Sequence, residues 1–168
     1  DKTLEEVNKV LKRKIRVNIL DNPLDAAKCK LVINLGNALL TIVAFHKNKK
    51  RELDVLQHLT STILNEGAAV LKKVGVKEAK ISGMPPWLLI RLTKILPQKL
   101  VLPSFEKKMK ATAMNSMAQE LEANASQTEL EEINGYFLQM AKKAGVAVPY
   151  NEAVYHIFKE WQKQKAEP

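Results

Sequence analysis

The sequence predicts an all-α fold, and two observations support this prediction. Apolar residues recur at spacings of three and four along most of the chain, which places them on one face of a helix. The strict alternation of apolar and polar residues that is typical of strands is scarce, and only six glycines and seven prolines occur in 168 residues. A chain of this length can bury the core of one domain.

The composition is that of a globular protein with an excess of basic residues. Hydrophobic residues make up 46% of the chain, and 27 Lys and Arg against 18 Asp and Glu give a formal net charge of +9. This charge suits an anionic partner, but no aromatic side chains interleave with the cations, as a surface for stacked bases requires. The sequence therefore predicts no nucleic-acid partner. Because no apolar run reaches the length of a membrane span, it predicts no membrane partner either.

Cysteine and histidine usage restricts the chemistry further. The single cysteine, Cys29, excludes an internal disulfide. The charged first residues lack the apolar segment of a signal peptide, so we expect a cytoplasmic protein. Neither His46 nor His58 has a partner at metal-binding spacing, and His156 is expected on the surface or packed, so no metal site is predicted.

The first twenty residues predict a short helix and a strand. Residues 4–14 have an amphipathic pattern, and residues 15–19 alternate between apolar and polar side chains, as an edge strand does. One strand cannot make a sheet. We therefore expect residues 1–20 to be the tail of a preceding domain or to supply an edge strand to a partner, and residues 21–168 to form a helical domain.

A long buried helix is predicted over residues 23–47. The motif Asp-Asn-Pro at its start places proline at the first helical position, and residues 31–43 are apolar on nearly all sides. The polar exceptions lie on one narrow stripe, and they are Lys30, Asn34, Asn37 and Thr41. Such a stripe either bonds helices together or opens onto a cleft. Gly36, inside the helix, indicates the close approach of another backbone or of a ligand.

Further helices are predicted along the rest of the chain. One covers residues 53–74, one extends from an N-cap at Ser104 to about residue 123, and the last covers about residues 151–163. Ser126 and Glu129 have the spacing of a capping box and start a helix that ends at Gly145. Residues 81–103 are more apolar than a loop should be. Three roles stay open for them: covering a cleft, dimerising, or packing on another domain.

Four motifs along the chain carry a resemblance to a known family. They are KLVINLGNALLT from residue 30, NEGAAVLKKVG from residue 65, NSMAQELE from residue 115, and TELEEING from residue 128 followed by PYNE from residue 149. In this order and spacing they resemble the signature of ketopantoate reductase and its relatives, over residues 5–45, 53–75 and 105–158. The resemblance implies a helical C-terminal domain of the 6-phosphogluconate dehydrogenase C-terminal-like type, which follows an NADP-binding Rossmann domain.

The resemblance also implies roles for five residues. Lys30 is expected to be the catalytic group that stabilises and protonates the ketone oxygen, with Glu129 holding it charged and oriented. Asn34, Asn37 and Ser116 are expected to bind the hydroxyl and carboxylate oxygens of the substrate. From the residues alone, Glu129 is the N3 residue of its capping box, and Ser116 is a helical serine bonded to its own backbone.

The implied reaction is the NADPH-dependent reduction of a 2-oxo acid, with ketopantoate as the expected substrate and pantothenate biosynthesis as the expected pathway. No G-x-G-x-x-G fingerprint is present, so NADPH is expected mainly on the protein's own N-terminal Rossmann domain, and this chain alone is expected to be inactive. A homodimer is a further expected partner. Glu66, in the second motif, is either structural or part of the cleft rim.

Three departures from the family pattern leave alternatives open. Cys29 stands where the family usually has Trp, Lys50-Arg51 stands where it has Asn-Gly, and Asn37 follows Lys30 by seven residues instead of eight. One alternative is the same reaction on a different 2-oxo acid. Another is a non-catalytic helical interaction module, and the net charge keeps a nucleic-acid or anionic-surface binder as a third.

Overall fold

The computed structural model describes residues 2–15, 17, 20, 22–45, 53–79, 87–112, 115–123 and 128–166. All regular structure within these residues is helical, which confirms the predicted all-α class. The described helices are α1 (Lys2–Leu11), α2 (Pro23–Asn34), α3 (Asn37–Phe45), α4 (Leu53–Lys73), α5 (Trp87–Ile95), α6 (Gln98–Thr112), α7 (Ser116–Glu122), the π-helix Glu131–Gly135, α8 (Tyr136–Ala144) and α9 (Pro149–Ala166).

Helix α4 lies at the centre of the fold. It contacts α2, α5, α6, α8 and α9. Its inward face carries Leu56, Ile63, Val70 and Leu71, which recur at helical spacing and are buried. Phe137 of α8 and Phe158 of α9 are fully buried in the same core. Burying each such side chain stabilises the fold by about 1.5–3 kcal/mol, so packing around α4 holds the other helices in place.

The start of α2 follows the predicted signal. The side-chain oxygen of Asn22 accepts hydrogen bonds from the backbone N–H groups of Leu24 and Asp25, at 3.1 and 3.2 Å. Pro23 takes the first helical position, where its missing N–H costs nothing. The Asp-Asn-Pro motif therefore caps this helix as the sequence indicates.

The long helix predicted over residues 23–47 is interrupted. Leu35 and Gly36 form a turn between α2 and α3, and the N–H of Leu35 donates to the carbonyl of Val32, three residues back, at 3.2 Å. Residues 46 and 47 lie outside the described part of the chain, as do residues 48–52 with Lys50-Arg51. The interruption falls between Asn34 and Asn37, so it sets the relative position of these two side chains.

By length and composition alone, the segment Pro23–Ala44 is long and apolar enough to cross a membrane, contrary to our expectation from the sequence. A buried helix of a globular core meets the same criteria. Ala26, Cys29, Val32 and Leu39 of this segment are buried against the rest of the protein. The segment is therefore only weak support for a membrane span.

The close helix approach expected at Gly36 occurs at Gly67 instead. A Cβ added at Gly36 would meet only Cγ2 of Thr60, at 3.5 Å, which is an ordinary contact. A Cβ added at Gly67 of α4 would lie 2.6 Å from Cγ1 of Val32 and 3.1 Å from Cδ1 of Leu35. The glycine of NEGAAVLKKVG therefore lets α2 pack closely on α4.

We expect Gly67→Ala to lower the free energy of unfolding by about 2 kcal/mol, because overpacking costs more than the helix propensity of alanine returns. Val32 cannot move aside, since a β-branched side chain has one preferred rotamer in a helix. Urea denaturation followed by circular dichroism measures the loss. Gly36→Ala is the matched control, and a loss at residue 67 no larger than at residue 36 would contradict the prediction.

The helix predicted from an N-cap at Ser104 is divided into α6 and α7. Helix α6 begins at Gln98 and contains Pro103, so Ser104 is an interior residue and not a cap. The hydroxyl of Ser104 donates to the carbonyl of Val101 at 3.1 Å. The cap lies later in the chain, where Asn115 starts α7. The prediction was wrong because serine and asparagine favour caps equally, and local sequence does not choose between them.

Two further predictions concern segments that the structure describes only in part. Ile15 and Val17, the described residues of the predicted strand, are not in a strand, and the described chain offers no second strand to pair with them. Ser126 of the predicted capping box lies outside the described residues. The helix begins after Glu129, whose carbonyl accepts the N–H of Ile133 at 3.0 Å. Glu129 is therefore at the start of the helix and not one turn inside it.

Candidate functional site

The α2–α3 junction carries the two predicted substrate-binding amides. Asn34 is the last residue of α2, Asn37 is the first residue of α3, and both are half-buried. Asn134, in the π-helix, is almost fully buried and donates from Nδ2 to the carbonyl of Leu35 at 3.3 Å. Its Oδ1 atom is buried without a hydrogen-bond partner. The bond from Asn134 to Leu35 therefore links the α2–α3 junction to the π-helix.

Asn115 joins the start of α7 to α3. Its Oδ1 accepts the N–H of Ala118 at 3.0 Å as an N-cap, and it also accepts the hydroxyl of Thr41 at 3.1 Å. Its Nδ2 donates to the carbonyl of Asn37 at 3.4 Å. The stripe residue Thr41 is therefore bonded between helices. The sequence reading missed Asn115, although the preference of asparagine for N-caps was a signal at the first position of NSMAQELE.

Two of the predicted site residues touch each other directly. Ser116, exposed at the first position of α7, donates from Oγ to Oε2 of Glu129 at 2.8 Å. The backbone N–H of Glu129 donates to Oε2 of Glu120 at 3.1 Å. Ser116 is therefore bonded across to the next helix and not to its own backbone, contrary to the expectation from a lone helical serine.

Lys30 lies on α2, one helical turn before Asn34, and its side chain is exposed. Within the described residues, the Lys30 ammonium has neither a hydrogen-bond partner nor an ion-pair partner. The expected ion pair between Lys30 and Glu129 is not formed among the described residues, and the Glu129 carboxylate accepts from Ser116 through Oε2. The ammonium is therefore open to solvent and to a ligand.

Chain adjacency and hydrogen bonds thus link a group of polar residues around the junction. Ser116 and Glu129 bond side chain to side chain, and the amides of Asn115 and Asn134 bond to backbone carbonyls. The group, hereafter the junction cluster, consists of Asn34, Asn37, Asn115, Ser116, Glu129 and Asn134. Its partly exposed members contain amide and hydroxyl donors and one carboxylate, and Lys30 lies one helical turn before Asn34. Such donors suit the oxygen atoms of a small carboxylic acid.

Cys29, which stands beside Lys30 in the sequence, faces away from this cluster. It is buried, and its thiol donates to the carbonyl of Lys77 at 3.8 Å. The N–H of Lys77 in turn donates to Oδ2 of Asp25 at 3.2 Å. The cysteine therefore belongs to the packing between α2 and the segment after α4.

Glu66 caps helix α9. Its carboxylate accepts the N–H of Tyr150 at 3.1 Å, the N–H of Asn151 at 3.0 Å and Nδ2 of Asn151 at 2.7 Å. Asn151 is buried and also donates from Nδ2 to the carbonyl of Ile63 at 3.2 Å. Of the two roles considered for Glu66, these bonds support the structural one.

An ion pair holds the π-helix against α9. The ammonium of Lys159 lies 2.8 Å from Oε1 of Glu131, and the hydroxyl of Tyr155 donates to the same carboxylate at 2.8 and 2.9 Å. These bonds, first from Lys159 and then from Tyr155, lower the pKa of the Glu131 carboxyl from its ordinary value of 4.5. A Cβ added at Gly135 would lie 2.7 Å from Oε2 of Glu131, so the glycine leaves room for this carboxylate.

The lowered pKa of Glu131 gives a pH dependence of known sign. A depressed carboxyl stabilises the fold above its unfolded pKa, and this stability is lost as the pH falls through the lower folded value. Both side chains of the pair are about half exposed, so the effect is at most about 1 kcal/mol. Between about pH 6 and pH 3, we expect the free energy of unfolding to fall less in Glu131→Gln than in the wild type. Urea titrations at each pH measure this free energy. Glu132→Gln is the control, and identical pH profiles for the two variants would contradict this.

The described residues contain neither a glycine-rich cradle for the pyrophosphate of a dinucleotide nor a grouped set of metal ligands. Among them, no group of three or more His, Cys, Asp and Glu side chains is arranged to hold a metal. Their glycines lie within helices, in the α2–α3 turn or at helix ends, and none follows a strand, so a cradle for a pyrophosphate is missing from this part of the chain.

Comparisons with known proteins agree with this fold. The model of the family described as ketopantoate reductase PanE/ApbA C terminal matches residues 24–162. A solved structure of a dimeric ketopantoate reductase from Staphylococcus aureus matches with a TM-score of 0.62 at 15% sequence identity, over 98% of this chain and 52% of that one. The chain thus spans about half the length of that protein. A search of curated proteins found no match. On the family match, this chain belongs to the family of ketopantoate reductase C-terminal domains.

Proposed function

We propose that this chain is the substrate-binding and catalytic C-terminal domain of an NADPH-dependent reductase of 2-oxo acids, with ketopantoate as the first candidate substrate and pantoate as the product. The observation that carries the proposal is the junction cluster. Three motifs that are far apart in the sequence contribute to it, through the bonds Ser116–Glu129, Asn115–Asn37 and Asn134–Leu35. Family membership supports the same reaction class.

In this proposal the cluster binds the acid and Lys30 supports the chemistry. The amides of Asn34 and Asn37 and the hydroxyl of Ser116 donate hydrogen bonds to the carboxylate and hydroxyl oxygens of the substrate. Reduction places negative charge on the ketone oxygen, and the Lys30 ammonium stabilises this charge and gives up a proton to it. A reduced nicotinamide supplies the hydride. We propose that a preceding Rossmann domain holds this cofactor.

The role of Glu129 in this proposal involves an exchange of partners. In this structure its carboxylate accepts from Ser116 through Oε2. A substrate carboxylate that takes the Ser116 hydroxyl would release Glu129, and the released carboxylate would then attract the Lys30 ammonium.

A different 2-oxo acid is the second candidate substrate. Lys50-Arg51 replaces the Asn-Gly that the family uses near pantoate, which favours an acid with another side chain. The S. aureus relative is dimeric, and this supports a homodimer as the assembly.

The test is NADPH oxidation by the natural full-length polypeptide with ketopantoate and a panel of other 2-oxo acids. We expect turnover of ketopantoate. Turnover of another acid alone would keep the reaction and change the substrate. If neither NADPH nor NADH is oxidised with any acid of the panel, the reductase proposal fails and a non-catalytic interaction module becomes the better account.

A further inference from the structure

Half of the apolar side chains of α5, together with two leucines that follow the helix, are exposed to solvent. Ile95 is 72% exposed, and Leu88 and Leu100 are each 66% exposed. The exposed group, hereafter the α5 patch, consists of Leu88, Leu89, Ile95, Leu96 and Leu100. On a helical projection its members from residues 88 to 96 lie within an arc of about 120°. Contiguous apolar surface of this kind marks an interaction site.

The side of α5 that faces the protein carries the buried Ile90 and a set of polar contacts to α4. Nε2 of Gln57 donates to the carbonyl of Thr93 at 3.3 Å, and the hydroxyls of Ser61 and Thr93 bond to each other. Nδ2 of Asn65 donates to the carbonyl of Ile90 at 3.0 Å. Gln57 and Ser61 are buried, so turning the leucines inward would leave these polar groups without partners. The outward orientation of the patch is therefore fixed by α4.

The described charges on and beside the patch are mainly positive, and the one carboxylate bonded to α5, that of Glu78, accepts the backbone N–H of Trp87 at the start of the helix. Arg91, Lys94 and Lys99 are exposed beside it, and the sequence has no Asp or Glu between Glu78 and Glu106. A second copy of this surface would bring like charges together, which disfavours a symmetric contact. A surface of anionic lipids would neutralise the same cations. Outward leucines flanked by Lys and Arg are the pattern of helices that lie in a membrane interface.

We propose that the α5 patch binds the surface of an anionic lipid bilayer, so that the domain is peripheral to a membrane. The proposal does not depend on the reductase function. It revises the sequence-based expectation of no membrane partner, which rested on the length of apolar runs. A helix that lies in the interface needs only a short apolar face, and α5 has one.

The test is flotation of the natural full-length polypeptide with vesicles of phosphatidylcholine, alone or mixed with phosphatidylglycerol. We expect binding to the mixed vesicles only, weakening as salt is added. Combining Arg91→Gln, Lys94→Gln and Lys99→Gln should weaken binding on the order of 100-fold, since each cation near an anionic surface contributes about fivefold. Combining Leu88→Ser and Ile95→Ser should weaken it at least about tenfold.

Matched controls separate the patch from general surface effects. Leu24→Ser with Ile157→Ser removes two apolar side chains of similar exposure elsewhere, and Lys142→Gln with Lys143→Gln removes cations elsewhere. The control variants should bind vesicles as the wild type does. Circular dichroism checks folding, and the exposed charge variants keep the test decisive if the leucine variant does not fold.

Three outcomes would overturn the proposal. They are absence of binding to anionic vesicles, equal binding to neutral ones, and equal losses in the control variants. Light scattering distinguishes the alternative occupant: if the leucine variant turns a dimer into a monomer and vesicles do not bind, the patch is an interface between two copies. NADPH oxidation is measured in parallel, so failure of the reductase proposal is recognised separately.

Discussion

Replacing Lys30 by alanine in the natural full-length polypeptide is expected to lower kcat for the proposed reduction of a 2-oxo acid about 1,000-fold. The reason is that negative charge develops on the ketone oxygen, and the variant has neither a cation to stabilise it nor a donor to protonate it. The Lys30 side chain is exposed and makes no bond within the described residues, so its removal should leave the fold unchanged.

Lys28→Ala is the matched control, because Lys28 lies on the same helix, two residues earlier and on another side. Its kcat should stay within about twofold of the wild type, as expected for a substitution outside the chemistry. In Lys30→Ala the loss should fall mainly on kcat, with a smaller change in KM, since the ammonium acts chiefly in the transition state. Equal losses in both variants, or wild-type kcat in Lys30→Ala, would remove Lys30 from the mechanism.

Where a helix has a clear capping signal, the local sequence was sufficient to predict where the helix begins or ends. Pro23 begins α2 as predicted, and Gly145 ends α8 in the left-handed conformation with φ 66°. The interruption at Leu35 and Gly36 was not predictable in this way. It is bonded by Asn134, a residue 99 positions away, and a local pattern contains no information about that partner. The geometry of the junction is thus decided by tertiary contacts.

In the candidate site, too, some contacts could be predicted from the sequence and others depend on tertiary structure. The resemblance to the family named Ser116 and Glu129, and the structure brings their side chains into contact. The resemblance did not name Asn115, whose side chain bonds to Thr41 and Asn37 of another helix. The sequence also showed that residues 81–103 are unusually apolar. Which way α5 faces depends on polar partners in α4, and these can be identified only in the folded chain.

Glu66→Ala is expected to lower the free energy of unfolding by about 3 kcal/mol, the largest stability effect we predict. The carboxylate accepts three hydrogen bonds from the start of α9, two of them from the buried Asn151. Asn151 already has one buried oxygen without a partner, so further unpaired groups there cannot be offset locally. Urea denaturation of the purified chain measures the loss, with the midpoint and slope determined separately.

A graded series tests whether hydrogen bonding is the cause. Glu66→Gln keeps one acceptor oxygen and should lose about half as much stability as Glu66→Ala, because an amide accepts fewer and weaker bonds than a carboxylate. Glu152→Ala removes an exposed carboxylate from the same first turn of α9 and should cost less than about 1 kcal/mol, which is the range of a helix-dipole effect. If Glu152→Ala costs as much as Glu66→Ala, negative charge near the start of α9 stabilises this helix through its dipole. The specific bonds from Glu66 to Asn151 would then not be the cause. If Glu66→Ala alone is costly, the PYNE motif docks α9 on α4, and its asparagine has a structural role outside the junction cluster.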